Sequence, residues 1–269
     1  MAINSAKVRR FNLDKVDLSS NSRVKPQQNV SSNHSSVKVK PQQNVNSNQS
    51  NAGSSIDYTG SINIICTWGK VYKKRFFGLL DDKEVSIDLD LNCAMLDDCN
   101  QLVDYILSPS YGKIDFFSDP FNKQQVFYGK LWSDDGAIIH SGDTYGGKAA
   151  NESITVDSTM IHPQISKIFF FINVYNNPCG KDKHVYDFSE ISSVQIDITE
   201  NALSVQNQKR TKYEISKLSN CKNKYTLILG YLHRVGNVWR YERIDNLTDD
   251  LSYIITIQRI CRGCHLNVK

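Results

Sequence analysis

The chain has 269 residues, of which 40% are hydrophobic and 22% charged, so it has enough apolar residues to bury a sizeable core. Its net charge of +4 is uneven, because residues 1–56 hold eight Lys and Arg against two Asp and Glu, which leaves the remainder slightly acidic. No run of about 18 apolar residues occurs, and this excludes a transmembrane helix.

The N-terminal basic residues are not followed by an apolar run, so the sequence predicts no secretory signal. The seven cysteines occur singly, apart from Cys261 and Cys264, and an odd count does not suit a framework of disulfides. We therefore expect a cytoplasmic protein with reduced thiols.

Residues 1–56 have the composition of a disordered segment. Asn, Ser, Gln, Val and Lys predominate, and Val24-Lys-Pro-Gln-Gln-Asn-Val30 recurs as Val39-Lys-Pro-Gln-Gln-Asn-Val45. Such a tract cannot bury enough apolar area to offset its ordering entropy, which predicts a disordered, low-complexity basic arm. Two interpretations are open: a weakly basic tether for an anionic surface, either a membrane in peripheral contact or nucleic acid, and a solvated spacer, which the low charge density favours. We predict no specific nucleic-acid binding.

Residues 57–269 show the pattern of short β-strands. Ile62, Ile64 and Cys66 alternate with Asn63 and Ile65, which predicts a strand with one buried face. In 85–95 apolar residues alternate with polar ones, which predicts a second such strand. The segment 167–175 is apolar almost throughout and predicts a central strand covered on both sides, whereas 253–260 fits either a strand or a helix. Further strands are predicted at 102–107, 137–140, 153–157, 194–198, 212–216, 225–233 and 238–244, the last two joined by a hairpin turn at Val235-Gly-Asn237. The pattern is typical of an all-β sandwich of two mostly antiparallel sheets.

Two acidic places stand out in this domain. Asp88 and Asp90 are two residues apart on a predicted strand, so both carboxylates project from its non-core face. A Gly-rich segment between two strands, residues 141–152, carries oxygen donors at Asp143, Thr144, Asn151 and Glu152. Calcium takes six to eight oxygen ligands, and a cation would relieve the repulsion between converging carboxylates. The alternative from pattern alone is that these are solvated side chains on a strand and a hairpin.

Seven separate segments follow one another along this part of the chain in a specific order. They are Ser86-Ile-Asp-Leu-Asp90, Gly136-Ala-Ile-Ile-His-Ser-Gly-Asp143, Glu152-Ser-Ile-Thr-Val-Asp157, His162-Pro-Gln-Ile-Ser-Lys-Ile-Phe-Phe-Phe-Ile172, Lys212-Tyr-Glu-Ile-Ser216, Leu232-His-Arg-Val-Gly-Asn-Val-Trp-Arg240 and Cys261-Arg-Gly263. In this order they resemble the TerD family of tellurium-resistance and stress-response proteins, with features of its TerZ branch. The resemblance spans about residues 61 to 265 and is specific because so many separate pieces occur in sequence.

The resemblance implies a TerD-type β-sandwich, calcium binding through acidic segments, and a part in bacterial tellurite resistance and general stress response. Its implied ligands are Asp88, Asp90, Asp143 and Glu152, with Thr144 and Asn151 as weaker donors. Other Ter-type or stress-response proteins are the implied partners. We expect a non-catalytic protein, since no complete catalytic constellation is present.

Three departures from the family pattern keep alternatives open. The Gly-rich loop is shorter by two residues and has lost most of its carboxylates, which predicts weaker calcium binding and leaves a metal-free, partner-binding scaffold as an alternative. An insertion is predicted at about residues 104–125, with a cluster of Phe116, Phe117 and Phe121, and a further added segment is predicted at 245–252. A third hypothesis is a thiol oxidoreductase or hydrolase using Cys261 and Cys264, or His140 beside the acidic loop. For His140, a half-buried structural histidine on a strand, held by a neighbour, is the favoured alternative.

Overall fold

A computed structural model describes residues 57–69, 71–75, 80–85, 87–108, 129–142, 150–176, 184–201, 209–216, 218 and 221–263. The predicted arm, residues 1–56, lies outside the described residues, as do the Phe116–Phe121 cluster and residues 264–269. Within the described part, no helix is long and apolar enough to cross a membrane.

The described residues form thirteen strands, one α-helix and one 3₁₀ turn at Phe188–Glu190. The strands are β1 Asp57–Tyr58, β2 Ser61–Trp68, β3 Val71–Arg75, β4 Leu80–Val85, β5 Leu89–Leu96, β6 Leu102–Ile106, β7 Ile138–His140, β8 Ala150–Asp157, β9 Lys167–Val174, β10 Ser193–Asn201, β11 Arg210–Ser216, β12 Thr226–Val235 and β13 Val238–Thr248, and the helix is α1 Tyr253–Cys261.

Two antiparallel sheets make the sandwich. The six-stranded sheet has the order β1-β13-β12-β9-β5-β6, the five-stranded sheet has the order β11-β10-β2-β8-β7, and β3 and β4 pair separately. The all-β prediction is confirmed. Strand β2 shows why the sheets pack: alternate residues, from Ile62 to Trp68, are buried between the sheets while the intervening ones face outward.

Most of the strands predicted from local sequence patterns are present in the structure. The predicted central strand is β9, which lies between β12 and β5 and is buried from Ile168 to Val174. The predicted hairpin joins β12 and β13, with Val235 opposite Val238 and Gly236 at a φ of 60°. Glycine adopts that left-handed backbone without steric cost, which is why the turn forms there.

The ambiguous segment 253–260 is helical, and it changes the environment of the acidic strand. Helix α1 begins after Ser252, whose Oγ accepts a hydrogen bond from the Ile255 amide at 3.4 Å. Its apolar residues cover the outer face of the six-stranded sheet and form a second core. That core contains Ala94, Leu96, Phe169, Phe171, Ile228, Ile254, Ile257 and Ile260.

Two expectations about the acidic strand need correction. The polar face of β5, expected to lie outside any core, is covered by α1, so that every residue from Leu89 to Leu96 is buried. The strand predicted from 85 to 95 is also interrupted, because Val85 ends β4 in the β3–β4 hairpin and β5 begins at Leu89.

The predicted insertion at 104–125 begins inside the sandwich. Residues 104–106 belong to β6, which pairs with β5, and Leu107 forms an isolated bridge with Lys130. Residues 109–125 lie outside the described part. Of the predicted added segment 245–252, residues 245–248 complete β13.

Candidate functional site

Asp90 is the second residue of β5 and lies on the face that α1 covers, and Asp88 directly precedes the strand. Asp90 is 1% exposed, and its Oδ2 accepts a hydrogen bond from the Tyr253 hydroxyl at the first turn of α1. The pKa of Tyr253 is raised well above its ordinary value, first by burial and then by the charges of Asp90 and Asp88. Both carboxylates therefore act on the same phenol, whose proton is held toward Asp90.

Glu152 approaches the same strand from the other sheet. It lies on the inner face of β8, is 1% exposed, and its Oε2 accepts the Leu91 amide at 2.7 Å. Strand β6 pairs with β5 only from Cys93 onward. On that side of β5 the Leu91 amide therefore donates to the Glu152 carboxylate instead of to a neighbouring strand. The other oxygen of that carboxylate lies 3.5 Å from the Ser108 hydroxyl. Glu152 thus joins the two sheets at the start of β5.

His140 is buried beside Glu152, at 3% exposure, which is deeper than the half-buried position expected for it. Its Nδ1 accepts a hydrogen bond from the Gly142 amide at 3.0 Å, so a neutral ring carries its proton on Nε2. That Nε2 lies 3.4 Å from Oε2 of Glu152. The Gly142 amide and the Glu152 carboxylate thus lie against the two nitrogens of the ring, as expected of a structural histidine.

The Gly-rich loop joins β7 to β8, and its end is tied to the acidic strand. Trp68 pairs with Ala150 in the β2–β8 ladder, and its indole nitrogen donates to the Ile87 carbonyl at 3.0 Å. Ile87 directly precedes Asp88, so the start of β8 and the acidic strand lie at the same end of the sandwich. Asn151 is exposed at that end.

The described members of the predicted ligand set lie near one another, but their carboxylates do not converge on one point. Asp88, Asp90, Asn151 and Glu152 lie at one end of the sandwich, although the carboxylate of Glu152 points inward and that of Asp90 points toward α1. Asp143 and Thr144 lie outside the described residues, so their prediction stays a prediction.

Three buried polar residues that the sequence prediction missed extend this site. Asn92 Oδ1 accepts the Ser108 amide at 2.8 Å, and its Nδ2 donates to Asn173 Oδ1 at 3.3 Å. Asn173 Nδ2 in turn donates to Thr226 Oγ1 at 2.5 Å. A signal was available, because Asn173 is the one polar residue within the apolar segment 168–174 and Asn92 shares the face of Asp90.

Carboxylate and amide oxygens are the ligands that calcium prefers, but the Asp90 carboxylate points toward α1 and that of Glu152 points inward. Asp88 and Asp90 would hold it from the strand side. Among the described residues, no group of three or more His, Cys, Asp and Glu side chains is placed to hold a metal ion. The other predicted ligands, Asp143 and Thr144, belong to the loop between β7 and β8 and lie outside the described residues.

The thiol hypothesis receives no support from Cys261. Burial raises the pKa of its thiol to about 12, whereas reactive cysteines have a lowered pKa. Cys264 lies outside the described residues.

Comparison with known proteins gives a family match and distant relatives. The sequence model of the family described as the TerD domain matches residues 120–256, a range that includes Asp143 and Glu152 but not Asp88 or Asp90. The chain is 26% identical over 130 residues to stress response protein SCP2 of Bacillus subtilis (strain 168), covering 48% of this chain and 61% of that protein. It is 27% identical over 117 residues to tellurium resistance protein TerZ of Serratia marcescens, covering 43% and 50%.

The chain thus spans between 50% and 61% of the length of these curated relatives. Tellurium resistance protein TerD of Serratia marcescens also matches, at 21% identity over 122 residues, so the TerZ branch is not singled out. The crystal structure of a homologue of telluride resistance protein (TerD) from Streptomyces coelicolor A3(2) aligns with a TM-score of 0.47 at 12% identity, over 74% of this chain and 95% of that chain.

Proposed function

The chain belongs to the TerD family, and on that premise we propose that it is a calcium-associated, non-catalytic binding module in bacterial tellurite resistance and general stress response. The names of its relatives support the biological setting. We further propose a cytoplasmic location and other stress-response proteins as partners. Peripheral contact of the basic arm with an anionic membrane remains part of this proposal.

The observation that carries the calcium proposal is the junction between β8 and the acidic strand. The Glu152 carboxylate accepts the Leu91 amide at 2.7 Å, and Trp68 joins the start of β8 to Ile87 at 3.0 Å. These bonds hold the start of β8, at the end of the Gly-rich loop, against the segment 87–91 that contains Asp88 and Asp90. Two acidic segments far apart in sequence therefore meet at one end of the fold.

The proposed ligands are Asp88, Asp90, Asp143 and Glu152, with Thr144 and Asn151 as weaker donors. A bound calcium ion would neutralise the repulsion among carboxylates held at one end of the sandwich. The role of Glu152 differs from that of the strand carboxylates, because it already accepts hydrogen bonds from the protein. It positions β5 as well as offering oxygen to a cation.

A non-catalytic role is supported by the burial of the candidate acid–base pair. His140 and Glu152 are 3% and 1% exposed, so a substrate has no access to them in this conformation. Their contacts are those of a structural support, since one ring nitrogen of His140 accepts a backbone amide and the other faces Glu152.

Thermal melting of the full chain in about 1 mM calcium and in excess chelator tests the proposal. A ligand that binds only the folded state raises stability by RT ln(1 + [L]/Kd), so calcium should raise the Tm. Asp88→Asn and Asp143→Asn should each reduce that rise. Asp98→Asn is the matched control, because Asp98 is an exposed acid beyond the opposite end of β5.

Equal melting temperatures with calcium and with chelator would remove the metal from the proposed function. An equal reduction of the shift in all three variants would also count against it, since that would indicate a general effect of surface charge.

A metal-free, partner-binding scaffold is the second candidate. It is favoured by the fact that Asp90 and Glu152 are already satisfied by protein donors, from Tyr253 and Leu91. This scaffold would melt at the same temperature with and without calcium. Loss of a captured partner on deletion of 109–125 would support it, and full retention of every partner would oppose it.

A further inference from the structure

We infer that the outer face of the five-stranded sheet is an interface through which two copies of this chain form a dimer. Helix α1 covers the outer face of the six-stranded sheet. On the five-stranded sheet, by contrast, the outward residues of β2 are only half-buried, and the large apolar side chains of Trp132 and Ile139 are 60% and 51% exposed. A second copy of the chain is thus a partner beyond the proposed function, and the contact requires no bound cation.

Six residues lie opposite one another across this face and form one continuous row. In order across the sheet they are Arg210, Thr199, Asn63, Thr155, Ile139 and Trp132. Opposite residues of an antiparallel pair share a face, and the chain neighbours Ile64, Ile154 and Ile198 are buried between the sheets. This outward row therefore points away from the core along its whole length.

The outward row is complementary to itself in reverse order, which is what a two-fold contact between identical surfaces requires. An axis that runs along the strands, between Asn63 and Thr155, places Trp132 of each copy over Arg210 of the other. A guanidinium over an indole ring is attracted by the negative face of the ring. At the axis, Asn63 faces Thr155 of the other copy, and an amide can donate a hydrogen bond to a hydroxyl. Ile139 lies between these two contacts.

The charges of this face are arranged as in a protein interface. Asp197 points outward from β10, but Arg210 Nε donates to its Oδ1 at 2.8 Å, so the two charges offset each other. Ile65, opposite Asp197, adds an aliphatic side chain near the centre. The exposed Lys212 and Glu214 lie on β11, at the edge of the sheet. Few charges at the centre and more at the rim distinguish interfaces from the rest of a protein surface.

The size of the face indicates a weak, reversible dimer. Strand β2 has eight residues. With about 3.3 Å per residue and about 4.8 Å between strands, the face measures about 25 Å in each direction. Two such faces bury about 1,200 Å² in total, at the lower limit for specific interfaces. We expect a Kd on the order of 10 μM.

Sedimentation equilibrium of the full chain in excess chelator measures the dimer, at concentrations from about 1 to about 200 μM so that they span this Kd. The wild type should pass from 30.6 kDa to twice that mass. Ile139→Asp should raise the Kd at least about tenfold, because each copy would bury an unpaired carboxylate. Leu251→Asp is the matched control, since Leu251 is a 69% exposed aliphatic residue that precedes α1 on the other sheet. It should leave the Kd unchanged.

Two substitutions of Trp132 test the two-fold arrangement. In Trp132→Glu the new carboxylate faces Arg210 of the other copy, whereas in Trp132→Lys the new ammonium faces the same guanidinium. Because like charges repel across an interface, Trp132→Lys should dimerise about tenfold more weakly than Trp132→Glu. Equal Kd values for the two variants would overturn the pairing of Trp132 with Arg210.

Iodide quenching of tryptophan fluorescence locates the interface in the wild type, without any substitution. Trp68 and Trp239 are 6% and 1% exposed, so iodide reaches mainly Trp132 among the three tryptophans. Quenching should fall as the protein concentration passes the Kd, because the dimer covers Trp132. A dimer that is quenched as strongly as the monomer would overturn the assignment to this face. A wild type that remains at 30.6 kDa throughout would overturn the dimer itself. Chelator is present in every sample, so either failure leaves the calcium proposal untouched.

Discussion

Asp245 is a carboxylate that the fold holds in an unfavourable place. The β12–β13 register shifts between Ile228 and Gly230, so Ile244 and Asp245 form a bulge, and Asp245 has a left-handed φ of 53°. Its side chain is 21% exposed, and its Oδ1 is buried without a hydrogen-bond partner. Burial raises the pKa of Asp245 to about 6, although the Arg243 guanidinium opposes the rise.

The sign of the effect on stability follows from this pKa. The folded protein binds the proton more tightly than the unfolded chain, whose aspartate has the ordinary pKa of 3.8. Stability is therefore gained as the pH falls from above about 6 to below about 4, and it is lost as the pH rises through that window. A rise of about two pKa units corresponds to a destabilisation of up to about 3 kcal/mol at pH 7.

Asp245→Asn should remove most of this penalty. Asparagine has nearly the same shape, tolerates the left-handed backbone and carries no charge. The ion pair with Arg243 is lost, but Arg243 is 40% exposed and such pairs contribute little. We expect the variant to be more stable than the wild type by about 1–3 kcal/mol at pH 7.5 and close to it at pH 4.

Urea unfolding of both proteins between pH 4 and pH 8 measures the effect. Other titrating groups are common to both and cancel in the difference between the two free energies of unfolding. Asp57→Asn is a control of opposite sign, because a hydrogen bond from Arg240 lowers the pKa of Asp57. A difference between wild type and Asp245→Asn that stays flat from pH 4 to pH 8 would refute the reasoning.

Two further variants test the packing of β12 and α1. In Gly230→Ala the added Cβ would overlap the main-chain oxygen of Glu242, so we expect a loss of about 3 kcal/mol in urea unfolding; an unchanged unfolding midpoint would contradict this. In Arg259→Ala the buried carboxylate of Asp250 loses both of its guanidinium contacts, and we expect a loss of about 3 kcal/mol. Arg259→Lys, which keeps the charge but not the paired contacts, should lose less, and equal losses in the two variants would argue against a role for the charge.

The strands and the hairpin followed from the sequence because their signals are local. Alternation in β2, the apolar run of β9 and the Gly236 turn each depend on residues within a few positions. A one-residue shift would turn each apolar set to the wrong face, so the pattern also specifies which face is buried. The sequence likewise predicted the strand that contains Asp90, although not the break between Val85 and Leu89, in which Asp88 lies.

Only the tertiary structure decided what surrounds those acids. The bond between Tyr253 and Asp90 joins residues 163 positions apart, and that between Leu91 and Glu152 joins residues 61 apart. The segment 253–260 becomes a helix because its apolar residues find the outer face of the six-stranded sheet, and local propensity alone left that choice open. Burial of Asp90, Asn92 and Glu152 is thus a consequence of packing between distant segments, which no single window of sequence contains.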